Sequence, residues 1–324
     1  MKKTLAILLA VLMLLSMAAC SKSKESAKAA EPAAPAVTDA PTAAPTAAPT
    51  NTPAPTEVPA DVAVVNALAK LDDLKSMHMD MTMLMDMSLQ IAYQGMTMNM
   101  PIQMTMDYLM DVQKDPYMSK MDVKMDMNMA SYGQQTNTAL VYMDLTGDKP
   151  VGYSSTDGGA TWTFETEDME KVQPQESIAV LKGNIKDFEK TGTETVDGKA
   201  VTVYSGRLDG KYAQEIMATT GMEELLSELD VNDPTGGSTT LGDILVTVYV
   251  DDETGYPVYY AMDMTEMLKD VLGAAMKQAM GMEGMEGMEV TLDVPAIKVD
   301  CSLSQFDSVA PIEIPEAALA AANN

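Results

Sequence analysis

Between residues 77 and 129, apolar and polar residues alternate at nearly every position, and most of the apolar ones are methionine. A period of two is typical of β-strands that have one apolar and one solvated face. Gln94-Gly95 and Lys114-Asp115-Pro116 interrupt the alternation and read as turns. The pattern therefore predicts three long antiparallel strands in a meander, and a fourth strand fits residues 136–145.

The rest of the chain up to residue 315 predicts further hairpins and several helices. Turn residues between strand-like runs predict hairpins over residues 152–164, 191–208 and 244–264. Apolar residues at helical spacing predict helices over residues 61–74, 167–181, 211–229 and 267–279. Asp61 is expected to cap the first helix, and the last strands, over residues 290–303, are expected to break at Pro295.

These elements together predict one α+β domain. Strands this long are expected to form a single strongly curved antiparallel sheet, an open half-barrel with helices packed on its concave face. We expect four segments: a signal peptide (1–19), an acylated cysteine with a disordered tether (20–60), the β-rich domain (61–315) and a C-terminal tail (316–324).

The first sixty residues indicate where the protein is located. Two lysines precede an apolar run that is too short to span a bilayer, and small residues follow it, as in a signal peptide. The ending Leu15-Ser16-Met17-Ala18-Ala19-Cys20 resembles a bacterial lipobox, which implies cleavage before Cys20 and acylation of its thiol. Acyl chains anchor a protein stably to a membrane. The Ala-, Pro- and Thr-rich stretch that follows favours an extended tether on the extracytoplasmic side.

Composition narrows the possible functions. The formal net charge of −27 disfavours binding to nucleic acid or to anionic lipid headgroups. With one histidine, no glycine-rich phosphate loop and no zinc signature, the sequence predicts neither an enzyme nor a cofactor. If Cys20 is acylated, Cys301 has no disulfide partner and is expected to be a small buried residue. His78 breaks the two-residue phase and is expected to be solvated.

Two further motifs are better interpreted as structural turns than as catalytic or metal-binding sites. Ser155 to Trp162 fits the pattern Ser-x-Asp-x-Gly-x-Thr-Trp, which resembles the Asp box of sialidase propellers. A propeller needs one copy per blade, and the chain has one copy, so we expect a well-formed turn beside a buried Trp162. Asp251-Asp252-Glu253 could hold Ca²⁺ weakly, but a solvated hairpin tip is the favoured interpretation.

The order of these features resembles a known class of proteins. A lipobox, a Thr/Pro tether, the helix Lys70-Leu71-Asp72-Asp73-Leu74, a meander, the Asp-Gly-Gly hairpin and a closing Phe306–Pro315 segment occur in that order. This arrangement resembles uncharacterised lipoproteins of Gram-positive bacteria and, more distantly, the LolA/LppX-type lipoprotein carriers. The resemblance implies an open half-barrel whose concave face holds acyl chains or another hydrophobic ligand.

The methionine face is the candidate site. Methionine is flexible and polarisable, so it suits a wall that accepts varied apolar ligands. We expect a monomer that binds a lipid or another hydrophobic small molecule without catalysis. The expected lining residues are Met81, Met83, Met85, Met98, Met100, Met104, Met106, Met125 and Met127 from the strands, with Met267, Val271 and Met276 from a covering helix.

Two alternatives remain open at this stage. Thioethers select Cu(I), and Met77, Met79 and His78, or the cluster Met280, Met282, Met285 and Met288, could supply ligands. We nevertheless predict no metal site, because the methionines far exceed the three or four ligands that an ion needs. The other alternative is a structural or adhesive surface module, in which the methionines are packed core.

Overall fold

The structure is a computed structural model. It describes residues 58–129, 133–147, 150–166, 185–210, 242–280 and 288–322. The predicted signal peptide, Cys20 and nearly all of the tether lie outside these residues. So do the predicted helices at 167–181 and 211–229 and the Gly-Met-Glu repeat at 281–287.

The first half of the described fold is one helix followed by a meander. Helix α1 spans Ala60–Ala69 and continues into a 3-10 turn over Lys70–Asp73. The strands that follow are β1 (Ser76–Tyr93), β2 (Met96–Lys114), β3 (Tyr117–Met129), β4 (Gly133–Asp144), β5 (Val151–Ser155) and β6 (Thr163–Glu165). The predicted meander and the hairpin around Asp157-Gly158-Gly159 are thus both present.

The second half contains two more hairpins, a helix and the last strand. Its strands are β7 (Lys186–Val196), β8 (Lys199–Leu208), β9 (Ile244–Asp251), β10 (Pro257–Asp263) and β11 (Met288–Ser304). Its helices are α2 (Thr265–Met280) and α3 (Glu316–Ala321). Asp197 and Gly198 both have positive φ, as the type I′ turn predicted between β7 and β8 requires.

All eleven described strands belong to one antiparallel sheet. The strand order is β6-β5-β4-β3-β2-β1-β11-β10-β9-β8-β7, so β1 pairs with the last strand and the chain runs outward from the centre on both sides. The sheet is open, with β6 and β7 as its described edges. The α+β fold class predicted from sequence is confirmed, with a single large open antiparallel sheet and few helices.

One face of the sheet, which we call the apolar face, carries the main core. Odd-numbered residues of β1 and even-numbered residues of β2 point to this face, as the period of two requires. Val64 and Leu68 of α1 and Met267 and Val271 of α2 are buried in the same cluster. Helix α1 packs on β7, β9 and β10, and α2 packs on β11 and β9.

A second, smaller core lies on the opposite face of the sheet. Met118, Tyr142 and Tyr153 form it together with Ile312 and Ala318 from the C-terminal segment. The tail predicted after residue 315 is therefore a helix, α3, whose Ala318 is fully buried. The sequence Glu-Ala-Ala-Leu-Ala-Ala suits a helix because alanine and leucine have high helix propensity.

Four local predictions need correction. Asp61 does not cap α1: the N-cap is Pro59, and the Asp61 carboxylate instead accepts the Phe188 backbone N–H at 2.8 Å. Strand β11 runs through Pro295 without ending, with a register shift there against β1. Trp162 is half-buried rather than buried. Asp251 is buried, and it binds the backbone N–H groups of its own turn.

Candidate functional site

Rows of methionine cross the middle of the apolar face. Antiparallel pairing places Met83, Met106 and Met125 side by side on β1, β2 and β3. Directly opposed side chains on neighbouring strands have Cβ atoms about 4.5–5.5 Å apart, so these thioethers are in contact range. The neighbouring rows are Met85, Met104 and Met127 on one side and Met79, Met110 and Met121 further along.

The same rows continue into the second half of the sheet with aliphatic side chains. Met83 pairs with Val299 of β11, Val299 with Met262 of β10, and Met262 with Val246 of β9. The apolar face is therefore continuous across at least six strands. Sequence reasoning did not include Val246, Met262 and Val299 among the lining residues, although their alternation with polar neighbours was a usable signal.

The structure buries most of the predicted lining residues together. Met81, Met83, Met104, Met106, Met125, Met267 and Val271 are all buried in one cluster. Met85 and Met127 are half-buried and pack against that cluster. Met98 and Met100 lie further out: Met100 is half-buried, whereas Met98 is 56% exposed. Met276 lies in α2, and its side chain is outside the described residues.

Tyr108 places a hydroxyl group inside this apolar wall. Its side chain is 1% exposed, and the hydroxyl donates to the Met106 sulfur at 3.9 Å. Burial raises the pKa of Tyr108 well above its ordinary value, because the phenolate would be poorly solvated there. The site therefore keeps a neutral, weak hydrogen-bond donor among the thioethers.

The pleat of β1 separates His78 from the methionines beside it in sequence. Met79 belongs to the apolar core, whereas His78 lies on the other face and its Nδ1 is 2.7 Å from the Asp111 carboxylate. His78 is partly buried and paired rather than simply solvated. The predicted copper set of Met77, His78 and Met79 is thus split between two faces. The Met280–Met288 cluster falls outside the described side chains.

Cys301 is fully buried, as predicted, and its thiol donates to the Ser302 carbonyl at 3.8 Å. It lies in the row of Met81 and Tyr260 on the apolar face. Within the described ranges, no three His, Cys, Asp or Glu side chains come together as a possible metal site. Among the same residues, none of the helices combines the length and the apolar character needed to span a bilayer.

The Asp-box hairpin is a self-contained turn at the β5–β6 edge of the sheet. The Asp157 carboxylate accepts the backbone N–H and the hydroxyl of Thr161, at 2.8 and 2.6 Å, and the Ser155 hydroxyl at 2.8 Å. Hydrogen bonds from Thr161, then from Ser155, lower the pKa of Asp157 to about 2. The Trp162 indole N–H donates to the Gly159 carbonyl at 3.0 Å. These contacts account for the motif as a turn.

Solved structures resemble this fold. LprF from Mycobacterium bovis aligns with 80% of this chain and 97% of its own, at 14% identity and a TM-score of 0.41. The lipoprotein LppX from Mycobacterium tuberculosis aligns with 78% of this chain and 98% of its own, at 12% identity and a TM-score of 0.37. The predicted distant resemblance to LppX-type proteins is confirmed as a structural likeness.

A third structure is more remote. A DUF1329 family protein from Desulfovibrio piger aligns with 78% of this chain and 93% of its own, at 11% identity and a TM-score of 0.17. No family model and no curated protein matches the chain.

Proposed function

We propose that this protein binds or carries a hydrophobic ligand, a lipid or an acyl chain, against the methionine rows of its apolar face, without catalysis. In this proposal residues 1–19 are a signal peptide and acylated Cys20 anchors the protein to the extracytoplasmic face of the membrane. Residues 20–60 tether a domain that spans residues 61–315. The proposed lining residues are the nine strand methionines named above, with Met267, Val271 and Met276.

The observation that supports this function most is the composition of the buried rows. Helices α1 and α2 pack on β7 and β9–β11, where the apolar face is mainly aliphatic. The thioether rows lie on β1–β3, and they are buried as well. Leucine or isoleucine would specify a fixed core better than methionine does. Methionine instead tolerates a changing apolar occupant, because its side chain adapts to irregular gaps.

Methyl NMR tests whether a ligand contacts these rows. We would label the methionine ε-methyl groups with ¹³C in the chain from residue 20 onward, with Cys20→Ser, which keeps every described residue. Methionine-to-leucine variants would assign the resonances. A long-chain fatty acid should shift the resonances of Met83, Met106 and Met125.

Met118 is the matched internal control. It is buried too, but it lies in the smaller core on the opposite face. Equal shifts at Met118 would indicate a global change rather than binding at the rows. If no resonance shifts, and native mass spectrometry of the purified protein finds no species of lipid mass, the proposed function is wrong.

The anchor is tested separately. Metabolic labelling with an alkyne-tagged fatty acid should label the full chain, and Cys20→Ala should abolish the label. Labelling that persists in Cys20→Ala would place the acyl group elsewhere and contradict this part of the proposal.

A further inference from the structure

Three strands extend beyond the rest of the sheet at one end. Strand β10 ends at Asp263, which pairs with Lys298 of β11, and Lys298 pairs with Leu84 of β1. Strands β3 and β4 end a little further along, where Met129 pairs with Ile102 and Ile102 with Met87. From Met87, β1 continues for six more residues to Tyr93, still paired with β2 and β11. At about 3.4 Å per residue this extension is roughly 20 Å long. We call it the tongue: residues 87–102 of β1 and β2 with residues 288–293 of β11.

One face of the tongue is apolar and partly open to solvent. It carries Met87, Leu89, Ile91, Met96, Met98, Met100, Ile102, Val290 and Leu292. Met96 is 71% exposed and Met98 56% exposed, while Leu89, Ile91, Met100 and Leu292 are half-buried. Exposed contiguous apolar surface on an otherwise polar protein marks a site of interaction.

This end of the molecule carries few charges. Residues 87–106 contain no Asp, Glu, Lys or Arg, and neither do residues 127–143 of the adjacent β3–β4 segment. The two acidic residues of the tongue, Glu289 and Asp293 of β11, alternate with Val290 and Leu292 and so lie on its opposite face. The whole chain carries a formal charge of −27. An acidic surface is repelled by anionic headgroups, and a charge near the hydrocarbon boundary is costly. The apolar face of the tongue can therefore approach a bilayer without bringing a charge of its own to the hydrocarbon boundary.

The chain enters the domain at the same end of the sheet. Helix α1 begins at Ala60, and Asp61 in its first turn binds Phe188 near the start of β7. The other end of the helix leads to Lys70, whose Nζ donates to the Thr254 carbonyl in the β9–β10 turn, at 2.5 Å. Lys186 at the start of β7 pairs with Arg207 of β8, and Arg207 pairs with Leu245 of β9. Leu245 in turn pairs with Asp263, so the start of β7 lies at the same end of the sheet as Asp263. Any upstream anchor therefore joins the domain on the side where the tongue projects.

We propose that the tongue is a membrane-docking surface whose exposed methionine face inserts into the interfacial region of a lipid bilayer. This inference rests partly on the proposed function, since it gives the apolar face a direct route to a lipid source. The tongue carries Leu89, Ile91 and Met100 between its exposed tip and the buried rows, so apolar surface runs unbroken from the bilayer to the site. The methionines at the tip adapt to disordered acyl chains as they would to a ligand.

Vesicle flotation tests the docking. We would use the chain from residue 20 onward with Cys20→Ser, so that no acyl anchor contributes, and neutral phosphatidylcholine vesicles. The protein should float with the vesicles. In the variant Met96→Asp/Met98→Asp, the partition coefficient onto the vesicles should fall at least about tenfold, because two apolar contacts are replaced by charges.

The control adds the same number of charges to the other face of the β1–β2 pair. Leu84 and Leu109 are each 41% exposed, and they lie on the polar face of β1 and β2. Leu84→Asp/Leu109→Asp should float like the parent. All four substituted residues are exposed, so both variants should fold, and circular dichroism with thermal melting checks this.

Three results would overturn the proposal. The first is recovery of the parent only in the vesicle-free fraction. The second is equal loss of flotation in the two double variants, which would indicate a general effect of charge. Alternatively, a dimer of the parent that Met96→Asp/Met98→Asp dissociates, without vesicle binding, would assign the tongue to a second copy of this chain. The methyl NMR shifts with dissolved fatty acid are read separately, so failure of docking and failure of ligand binding are distinguishable.

Discussion

Tyr108 shows how one residue reports on the character of the apolar face. The hydroxyl is desolvated, and its hydrogen bond in the structure goes to a thioether, which is a weak acceptor. Removing the hydroxyl therefore removes a weak bond and also a desolvation penalty, and these two effects oppose each other.

We expect Tyr108→Phe to change the free energy of unfolding by less than about 1 kcal/mol. Tyr108→Ala should cost about 3–5 kcal/mol, because it leaves a large cavity among packed methionines. Urea denaturation of the three proteins measures both changes. A loss of several kcal/mol in Tyr108→Phe would mean that the hydroxyl has a stronger role than its contact with Met106 suggests.

At the residue scale the sequence was informative wherever the period of two was unbroken. Met83, Met106 and Met125 were placed on one face by counting alone, and the structure places them in one row. Asp61 could not be assigned in the same way. A helix-starting carboxylate looks like a cap locally, but its partner Phe188 lies 127 residues away.

The Asp-box hairpin between β5 and β6 is an element whose stability should depend on pH. The pKa of Asp157 is lowered in the fold to about 2, from an unfolded value near 3.9. A group with a lowered pKa contributes stability above its unfolded pKa, and that contribution is lost as the pH falls toward the folded pKa.

We therefore expect Asp157→Asn to lower Tm by about 2–4 °C at pH 7, and the difference from the parent to shrink between pH 4 and pH 2. Scanning calorimetry at several pH values measures the difference. Glu165→Gln in β6, an exposed carboxylate of the same hairpin, is the control. A Tm difference independent of pH would contradict the role of the ionised carboxylate.

Helix α3 is the element that covers the second core. Ile312, Ile314 and Ala318 pack against the cluster that contains Tyr142 and Trp162, whose rings meet edge to face with centroids 5.8 Å apart. Trp162 is the one tryptophan of the chain, so its fluorescence reports on this cluster directly.

A chain that ends at Ala310 should show red-shifted tryptophan emission and a lower Tm, because the truncation exposes the indole and the adjacent rings to water. A chain that ends at Ala322 keeps α3 and should match the parent. Unchanged emission in the shorter chain would show that the C-terminal segment does not shield Trp162.

At the scale of elements, the local sequence pattern predicted the strands and turns well, but it did not predict helix α3, which covers the second core. Gln94-Gly95 and Asp197-Gly198 adopt positive φ at both positions, as their sequences indicated. The six residues of α3 are too few for a periodic signal, and their helix is stabilised mainly by the burial of Ala318.

The whole molecule is organised by a pairing that no local pattern specifies. Strand β1 pairs with β11, more than 190 residues later, and this contact joins the methionine half of the sheet to the aliphatic half. The sequence predicted one curved sheet from strand lengths, but it could not place the first strand beside the last. The continuity of the apolar face across both halves follows from that pairing.

Oxidation of the methionines should reveal this organisation. Peroxide converts a thioether to a sulfoxide by transfer of one oxygen atom, with water as the other product, and the rate follows the exposure of the sulfur. Met96 and Met98 on the tongue should therefore react first. Met81, Met83, Met106 and Met125 belong to one cluster that spans the sheet, so they should become reactive together, and only through global unfolding.

Met118 distinguishes protection by one cooperative core from protection by low exposure of each sulfur alone. It is buried, but it belongs to the smaller core under the C-terminal segment, and we expect that segment to open more readily than the apolar face. Peptide mass spectrometry over a peroxide time course should show three classes: Met96 and Met98, then Met118, then the rows. In the chain that ends at Ala310, Met118 should move toward the fast class while the rows stay protected. Early oxidation of Met106 or Met125 would mean that the face opens locally, and a single core across the sheet would then be the wrong description.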